Sequence, residues 1–256
     1  LAVFFEPEQT QFDLNWRMFG VPVRVHPYFW LVSLMLGWDL SRPPDGGLQY
    51  VLLWVLCVFV SILVHEFGHV FMGRVFGARS HIVLQAFGGL AVGSSALDNR
   101  WKRIAVYLAG PGAGFILFGL VWCLDHSIDL SQATRATQKA VRFLFWINLA
   151  WGLLNLLPIW PLDGGQVSRD FFDWLLPDKG VRVALSISIV ISGLIALNCL
   201  SLSQRQESLP LLEQIPWLEN LGTFTNFLLF AFLAFNSFQA LQAEANRRPW
   251  EREWDR

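Results

Sequence analysis

Two histidines and a glutamate stand together in Val64-His65-Glu66-Phe67-Gly68-His69, inside a run that is otherwise apolar. On a helix, side chains four residues apart share one face about one turn, roughly 6 Å, from each other. Imidazoles placed like His65 and His69 can grip one metal ion, and Glu66 between them is placed to act on a water at that metal. The chemistry implied is zinc-dependent hydrolysis. A two-histidine motif alone arises by chance in many unrelated proteins, so its surroundings carry the signal. No charged side chain occurs from Val51 through Val64, and apolar character resumes at Val70, Phe71 and Met72. Ionisable groups at membrane depth are costly and mark functional sites, because burying them without a partner is strongly unfavourable.

Catalytic zinc usually takes three protein ligands and keeps a fourth position open. After His69 the next acidic residue is Asp98, in a polar turn, and Val75 occupies the place where an extended motif would carry a third histidine. His26 and His81 fall outside the expected helices, and His126 is expected on the far side of the membrane. Asp163 is the best remaining choice. It follows Pro158 and Pro161, which must unwind the end of a span. By topology it lies towards the same side as the motif, and the adjoining Gly164-Gly165 would let the backbone come close to the ion. Taken alone, such an aspartate is more often a turn or capping residue.

The elements that must hold these groups are read from composition and pattern. The 256 residues are 54% hydrophobic and 15% charged, against about a quarter charged in soluble domains. A polytopic, mainly helical membrane protein follows. The formal net charge of −1 argues against a nucleic-acid partner, which calls for a basic excess. Cys57, Cys123 and Cys199 sit singly in apolar runs and read as packing residues.

About six transmembrane helices are expected, over residues 28–40, 50–72, 104–124, 141–157, 181–200 and 223–243, the first being short for a span. Residues 1–27 read as an N-terminal juxtamembrane segment, strand-like where Val21, Val23 and Val25 alternate with Pro22 and Arg24. Pro27 suits a first helical turn. Residues 28–243 form the membrane domain, with a catalytic core over about 50–166, and 244–256 a polar tail. After the second helix, residues 78–96 read as a small membrane-associated β-hairpin or sheet turning at Gly88-Gly89. Its edge could hold an unwound peptide by strand addition, which makes Gly88 and Gly89 candidate substrate contacts. Gly110-Pro111-Gly112-Ala113-Gly114 reads as a packing seam. Residues 204–222 read as an interfacial loop. Asn148 and Asn155, on nearly one face of the fourth span, are candidate contacts to a substrate or oxyanion, with interhelical hydrogen bonds the equal alternative.

Six spans place both termini on one side. Of the 19 Lys and Arg residues, 14 fall on that side and 5 opposite, so the termini and the motif half are expected to be cytoplasmic.

The pair His65-Glu66-Phe67-Gly68-His69 and Asn155-Leu156-Leu157-Pro158-Ile159-Trp160-Pro161-Leu162-Asp163-Gly164-Gly165 resembles the site-2 protease family of intramembrane zinc metalloproteases (peptidase M50-like). The likeness covers roughly residues 50–166. Gly20-Val21-Pro22-Val23-Arg24-Val25-His26-Pro27 also resembles the N-terminal segment of the shorter bacterial and archaeal members. The resemblance implies one zinc ion per chain on His65, His69 and Asp163, with Glu66 as catalytic base. It also implies cleavage of transmembrane protein substrates within the lipid bilayer of a prokaryotic cell membrane. Two departures stand out. Gly112-Ala113-Gly114 follows the third-span Gly-Pro where many members carry an Asn or Ser, and the chain is expected to lack PDZ and CBS modules. The rival readings are a non-catalytic homologue that binds membrane partners and a metal transporter. The four retained site residues count against the first. The second would need polar groups along a path through the bundle, and the spans have few. Oligomeric state is left open.

Overall fold

The computed structural model describes residues 6–42, 46–86, 88–128, 130–205, 208–209 and 223–246. The expected interfacial loop and the tail beyond Asn246 fall almost entirely outside the described residues. The chain divides into two compact units, residues 1–156 and 157–256.

The first unit opens on two short strands, β1 (Leu14–Met18) and β2 (Val21–Val25). Phe19 and Gly20 join them with φ of 52° and 72°, the paired positive angles of a two-residue hairpin turn whose twist matches the strands. Helix α1 (Pro27–Gly37) follows, and the His26 side chain caps it by accepting from the Tyr28 N–H. After a 3₁₀ turn, Trp38–Ser41, comes α2 (Leu48–Val75), of 28 residues. At 1.5 Å per residue α2 is about 42 Å long, more than a hydrocarbon core needs. Strands β3 (His81–Gln85) and β4 (Gly88–Val92) lead to α3 (Arg100–Ser127) and α4 (Arg135–Asn155).

All four strands form one sheet in the order β1-β2-β3-β4, with β2 and β3 parallel and the other pairs antiparallel. The expected hairpin after the second helix is therefore half of a larger sheet, completed by the N-terminal segment. Gly88 and Gly89 are not the turn. They lie within β4, opposite Gln85 and Leu84, and the turn begins at Ala86. Val21, Val23, Val25, Ile82 and Leu84 are fully buried and share one core with Ile62, Leu63, Phe67 and Val70 of α2.

Arg24 departs from the alternation read in β2, being buried at 5% exposure. Its guanidinium donates to Asp13, Glu6 and the Pro7 carbonyl at 2.9–3.1 Å, which offsets the cost of burial. Burial alone raises the Asp13 pKa. Hydrogen bonds from the Thr10 hydroxyl and backbone, then Arg24 and the field of His26, bring it below the ordinary carboxylate value. At the far end of α2, Arg74 donates to the Phe19 and Gly20 carbonyls, each at 2.9 Å. Phe19 also packs edge-on against Phe67, with ring centroids 5.6 Å apart. The sheet is thus fastened to the helix that carries the histidine motif.

The second unit contains α5 (Asp163–Leu175), α6 (Gly180–Arg205) and α7 (Phe224–Asn246). Helix α5 was not expected. Two prolines and a Gly-Gly pair argue for an irregular segment, yet the chain resumes a helix at Asp163. In its first turn Gly165 lies against the Ile159 carbonyl, so this glycine serves contact with the preceding loop.

Among the described residues, four helices are long and apolar enough to cross a membrane: Leu48–Val75, Arg100–Ser127, Gly180–Gln204 and Phe224–Asn246. Helix α4 carries Arg135, Lys139 and Arg142 in its N-terminal half. Helix α1, of 11 residues, is about 16 Å long, against a hydrocarbon core of about 30 Å.

Candidate metal centre

Three ionisable side chains on α2 are withdrawn from solvent, His65 and Glu66 at 4% exposure and His69 at 6%. Their helix is apolar on every side, as befits a buried span, so the motif's polarity is met from neighbouring elements. His69 Nδ1 lies 2.7 Å from the Val106 carbonyl oxygen of α3. A carbonyl only accepts, so Nδ1 carries the proton and Nε2 presents its lone pair. That Nε2 is 3.2 Å from Nε2 of His65.

The separation suits a shared ion. Two nitrogens held at about 2.0–2.1 Å from one tetrahedral zinc are roughly 3.3–3.4 Å apart. The donor set therefore fits zinc on the two groups this unit supplies.

Glycines let the surrounding backbone reach these side chains. A Cβ at Gly110 of α3 would fall on the His69 ring, and one at Gly68 on the Ala109 carbonyl of the same helix. The stretch read only as a packing seam therefore forms the wall behind His69. A Cβ at Gly89 of β4 would fall on the Glu66 side chain. Edge strand β4 thus runs directly against the carboxylate. Gly88 is less confined, its Cβ position lying 3.2 Å from the Trp151 ring of α4.

Asn148 is nearly buried, at 2% exposure. Its Nδ2 donates to Ser61 Oγ at 2.9 Å and to the Leu144 carbonyl at 2.7 Å. This is the interhelical bond weighed against a substrate role, and it ties α4 to α2 one turn before His65. Asn155 Nδ2 donates to the Trp151 carbonyl of its own helix at 3.0 Å. The other histidines are engaged elsewhere: His26 caps α1, His81 lies 3.2 Å from the Glu6 carboxylate, and His126 Nδ1 donates to the Trp122 carbonyl at 2.9 Å.

In the second unit Asp163 occupies the first turn of α5, where the helix dipole favours a charged carboxylate. The preceding turn is tied by hydrogen bonds from Leu162 N–H to the Ile159 carbonyl at 2.8 Å and from Gln166 N–H to the Leu162 carbonyl at 3.0 Å.

Sequence reasoning missed the Val106 carbonyl, which no side chain announces, and Ser61, an ordinary serine in an apolar run. Gly110 carried a signal in its Gly-Pro pairing, without indicating which side chain it would meet.

A profile for peptidase family M50 matches residues 53–128 and 123–196. A Synechocystis sp. protein provisionally named a zinc metalloprotease is 34% identical over 179 residues, covering 65% of this chain and 46% of that protein. Stage IV sporulation protein FB of Bacillus subtilis is 28% identical over 179 residues, covering 68% of this chain and 56% of its own length. These matches span about half the length of the curated relatives. The site-2 protease structure from Methanocaldococcus jannaschii superposes with a TM-score of 0.58 at 22% identity, covering 89% of this chain and 94% of that one. At that identity the likeness speaks for the fold.

Proposed function

Since this chain belongs to peptidase family M50, we propose that it is an intramembrane zinc endopeptidase of the site-2 protease type, cutting peptide bonds in or near transmembrane segments of other proteins. The observation that carries this reading is the convergence of His65 and His69 Nε2 at 3.2 Å, beside a buried Glu66 that edge strand β4 touches. One zinc ion per chain is proposed on His65, His69 and Asp163. Asp163 joins the set through its place in the Leu157-Pro158 to Asp163-Gly164 motif and its seat in the first turn of α5.

Bound zinc would polarise the scissile carbonyl and lower the pKa of a water to about 7. Val106 keeps His69 in the tautomer that a ligand needs. Glu66 takes the proton from the attacking water and delivers it to the leaving amine. A spanning helix hides its carbonyls in its own hydrogen bonds, so a substrate must first unwind. Strand β4, at the sheet edge, is proposed to pair with the unwound segment through its main chain at Gly88 and Gly89, and the side chain missing from Gly89 lets that strand lie close to Glu66. Asn148 spends both amide N–H groups within the bundle, whereas Asn155 spends one of its two on its own helix and stays in the proposed contact set for a substrate or oxyanion.

The protein is an integral membrane protein by its apolar helices and its family. A six-crossing arrangement in a prokaryotic cell membrane, with termini and site on the cytoplasmic side, belongs to the proposal and rests on the 14 to 5 distribution of Lys and Arg. The test is incubation of the purified protein with a generic spanning-helix substrate, with and without a zinc chelator. Fragments that vanish with the chelator and return with added zinc support a protease. Binding without fragments supports a non-catalytic partner, and zinc flux into vesicles without fragments supports a transporter.

A further inference from the structure

Trp160 lies three residues before Asp163, and both of its backbone polar groups are claimed by serines from other helices. Its N–H donates to Ser188 Oγ of α6 at 2.7 Å, and its carbonyl accepts from Ser237 Oγ of α7 at 3.2 Å. The two hydroxyls are 2.7 Å apart. Each hydroxyl has one proton to give. Ser188 accepts from Trp160, so its proton is directed at Ser237, and the proton of Ser237 goes back to the Trp160 carbonyl and to its own helix at Leu233. Three hydrogen bonds thus close a ring through one peptide residue.

Neighbouring serines show that this is not the ordinary habit of α6. Ser186 and Ser192 donate to carbonyls four residues back in their own helix, the usual helix-interior behaviour. Ser188 instead serves the loop. Ser188 and Ser237 are at 1% and 0% exposure, so water does not compete for the ring. The Arg169 guanidinium of α5 lies 5.3 Å from the Trp160 ring centroid, over its face. The Trp160 amide also bears directly on α5. A Cβ at Gly165 would stand 2.6 Å from Trp160 N, so the first turn of the helix rests on the very peptide the serines hold.

We propose that Ser188 and Ser237 are positioning residues for Asp163. They fix the seat of its helix turn and so hold the carboxylate where a metal ligand must be. This rests on the reading of Asp163 as a zinc ligand. A purely structural serine pair would stabilise the contact between α6 and α7 and leave metal affinity alone. The hydrogen-bonding partners of metal ligands typically influence affinity by about 10–100-fold.

The test measures the zinc dissociation constant of the full chain in detergent by competition with a chromophoric chelator. Ser188→Ala and Ser237→Ala are each expected to weaken zinc binding about 10-fold or more. Ser237→Thr, which keeps the hydroxyl, should stay within about 3-fold of wild type, well under that range. Ser192→Ala removes an equally buried hydroxyl that bonds only its own helix, and should leave affinity unchanged. In an Asp163→Asn background the Ser188 and Ser237 substitutions should have no further effect. Wild-type affinity in both alanine variants, with Asp163→Asn impaired, overturns the proposal alone. So does a loss in Ser192→Ala as large as in Ser188→Ala. Wild-type affinity in Asp163→Asn overturns the ligand reading, and with it this proposal. If an alanine variant does not accumulate, zinc loss in Ser237→Thr equal to that of Asp163→Asn overturns the clamp in its place.

Discussion

Replacing Gly89 by alanine should disable Glu66 without touching a metal ligand. The backbone at Gly89 is not left-handed, so alanine is not strained there in itself. The added methyl carbon would stand 2.6 Å from Glu66 Cδ and Oε1, against the about 3.5–4.0 Å of an unstrained carbon contact. The carboxylate or the strand must therefore withdraw by about 1 Å. A displacement of that size at a reacting group costs about 10²-fold in rate, equivalent to about 2.7 kcal/mol of barrier. Gly88→Ala is the matched control, because its methyl would meet only the Trp151 ring at 3.2 Å, a contact that a few tenths of an ångström relieves. The assay compares single-turnover cleavage of one spanning-helix substrate by the two variants, with zinc content measured in each. Gly89→Ala should bind zinc normally and cleave about 10²-fold more slowly, while Gly88→Ala stays close to wild type. Gly89→Ala activity within a few-fold of wild type would refute the claim that β4 fixes the position of Glu66.

Gly110→Ala should displace the His69 ring and weaken zinc binding by about 10-fold or more, as chelator competition would reveal; unchanged affinity would mean the ring is free to move. Asn148→Leu removes the bond to Ser61 and should lower stability by about 1 kcal/mol, read by unfolding in denaturing detergent. For Asp13 the folded pKa is lowered, so its contribution to stability is complete above its unfolded value of about 3.9 and is lost as pH falls through the folded value. Deuterium exchange of the β1 amides, corrected for intrinsic rates, should therefore lose protection on going from pH 5 to pH 3, and Asp13→Asn should flatten that dependence.

The histidine motif, its burial and the helix carrying it were legible because an unbroken apolar run leaves a glutamate and two imidazoles nowhere to go except a site. The hairpin after α2 was legible from the β-branched residues Ile82 and Val83. Its extension into four strands was not, because the β2 to β3 pairing is parallel and joins Val23 to Ile82 across two intervening helices, which local pattern does not encode. Buried Arg24 misleads in the same way, its charge being answered by Asp13 and Glu6 from outside its own strand. Gly88 and Gly89 read as a turn because glycine usually punctuates. Here the side chain missing from Gly89 is needed to admit Glu66, a requirement set by tertiary contact. Helix α5 was obscured by Pro158 and Pro161, whose effect ends one residue before the helix begins, and by Gly164-Gly165, which the helix takes into its own first turn. Single serines such as Ser61, Ser188 and Ser237 give no warning in sequence of the backbone or amide they will hold.

The central claim is that Glu66 moves the proton in a zinc-dependent peptide hydrolysis. Its most direct test is Glu66→Gln in the purified protein, with bound zinc and cleavage of a spanning-helix substrate measured on the same preparation. Zinc at the wild-type level with cleavage reduced by about 10²-fold or more is the predicted result. Undiminished cleavage with zinc still bound would contradict it.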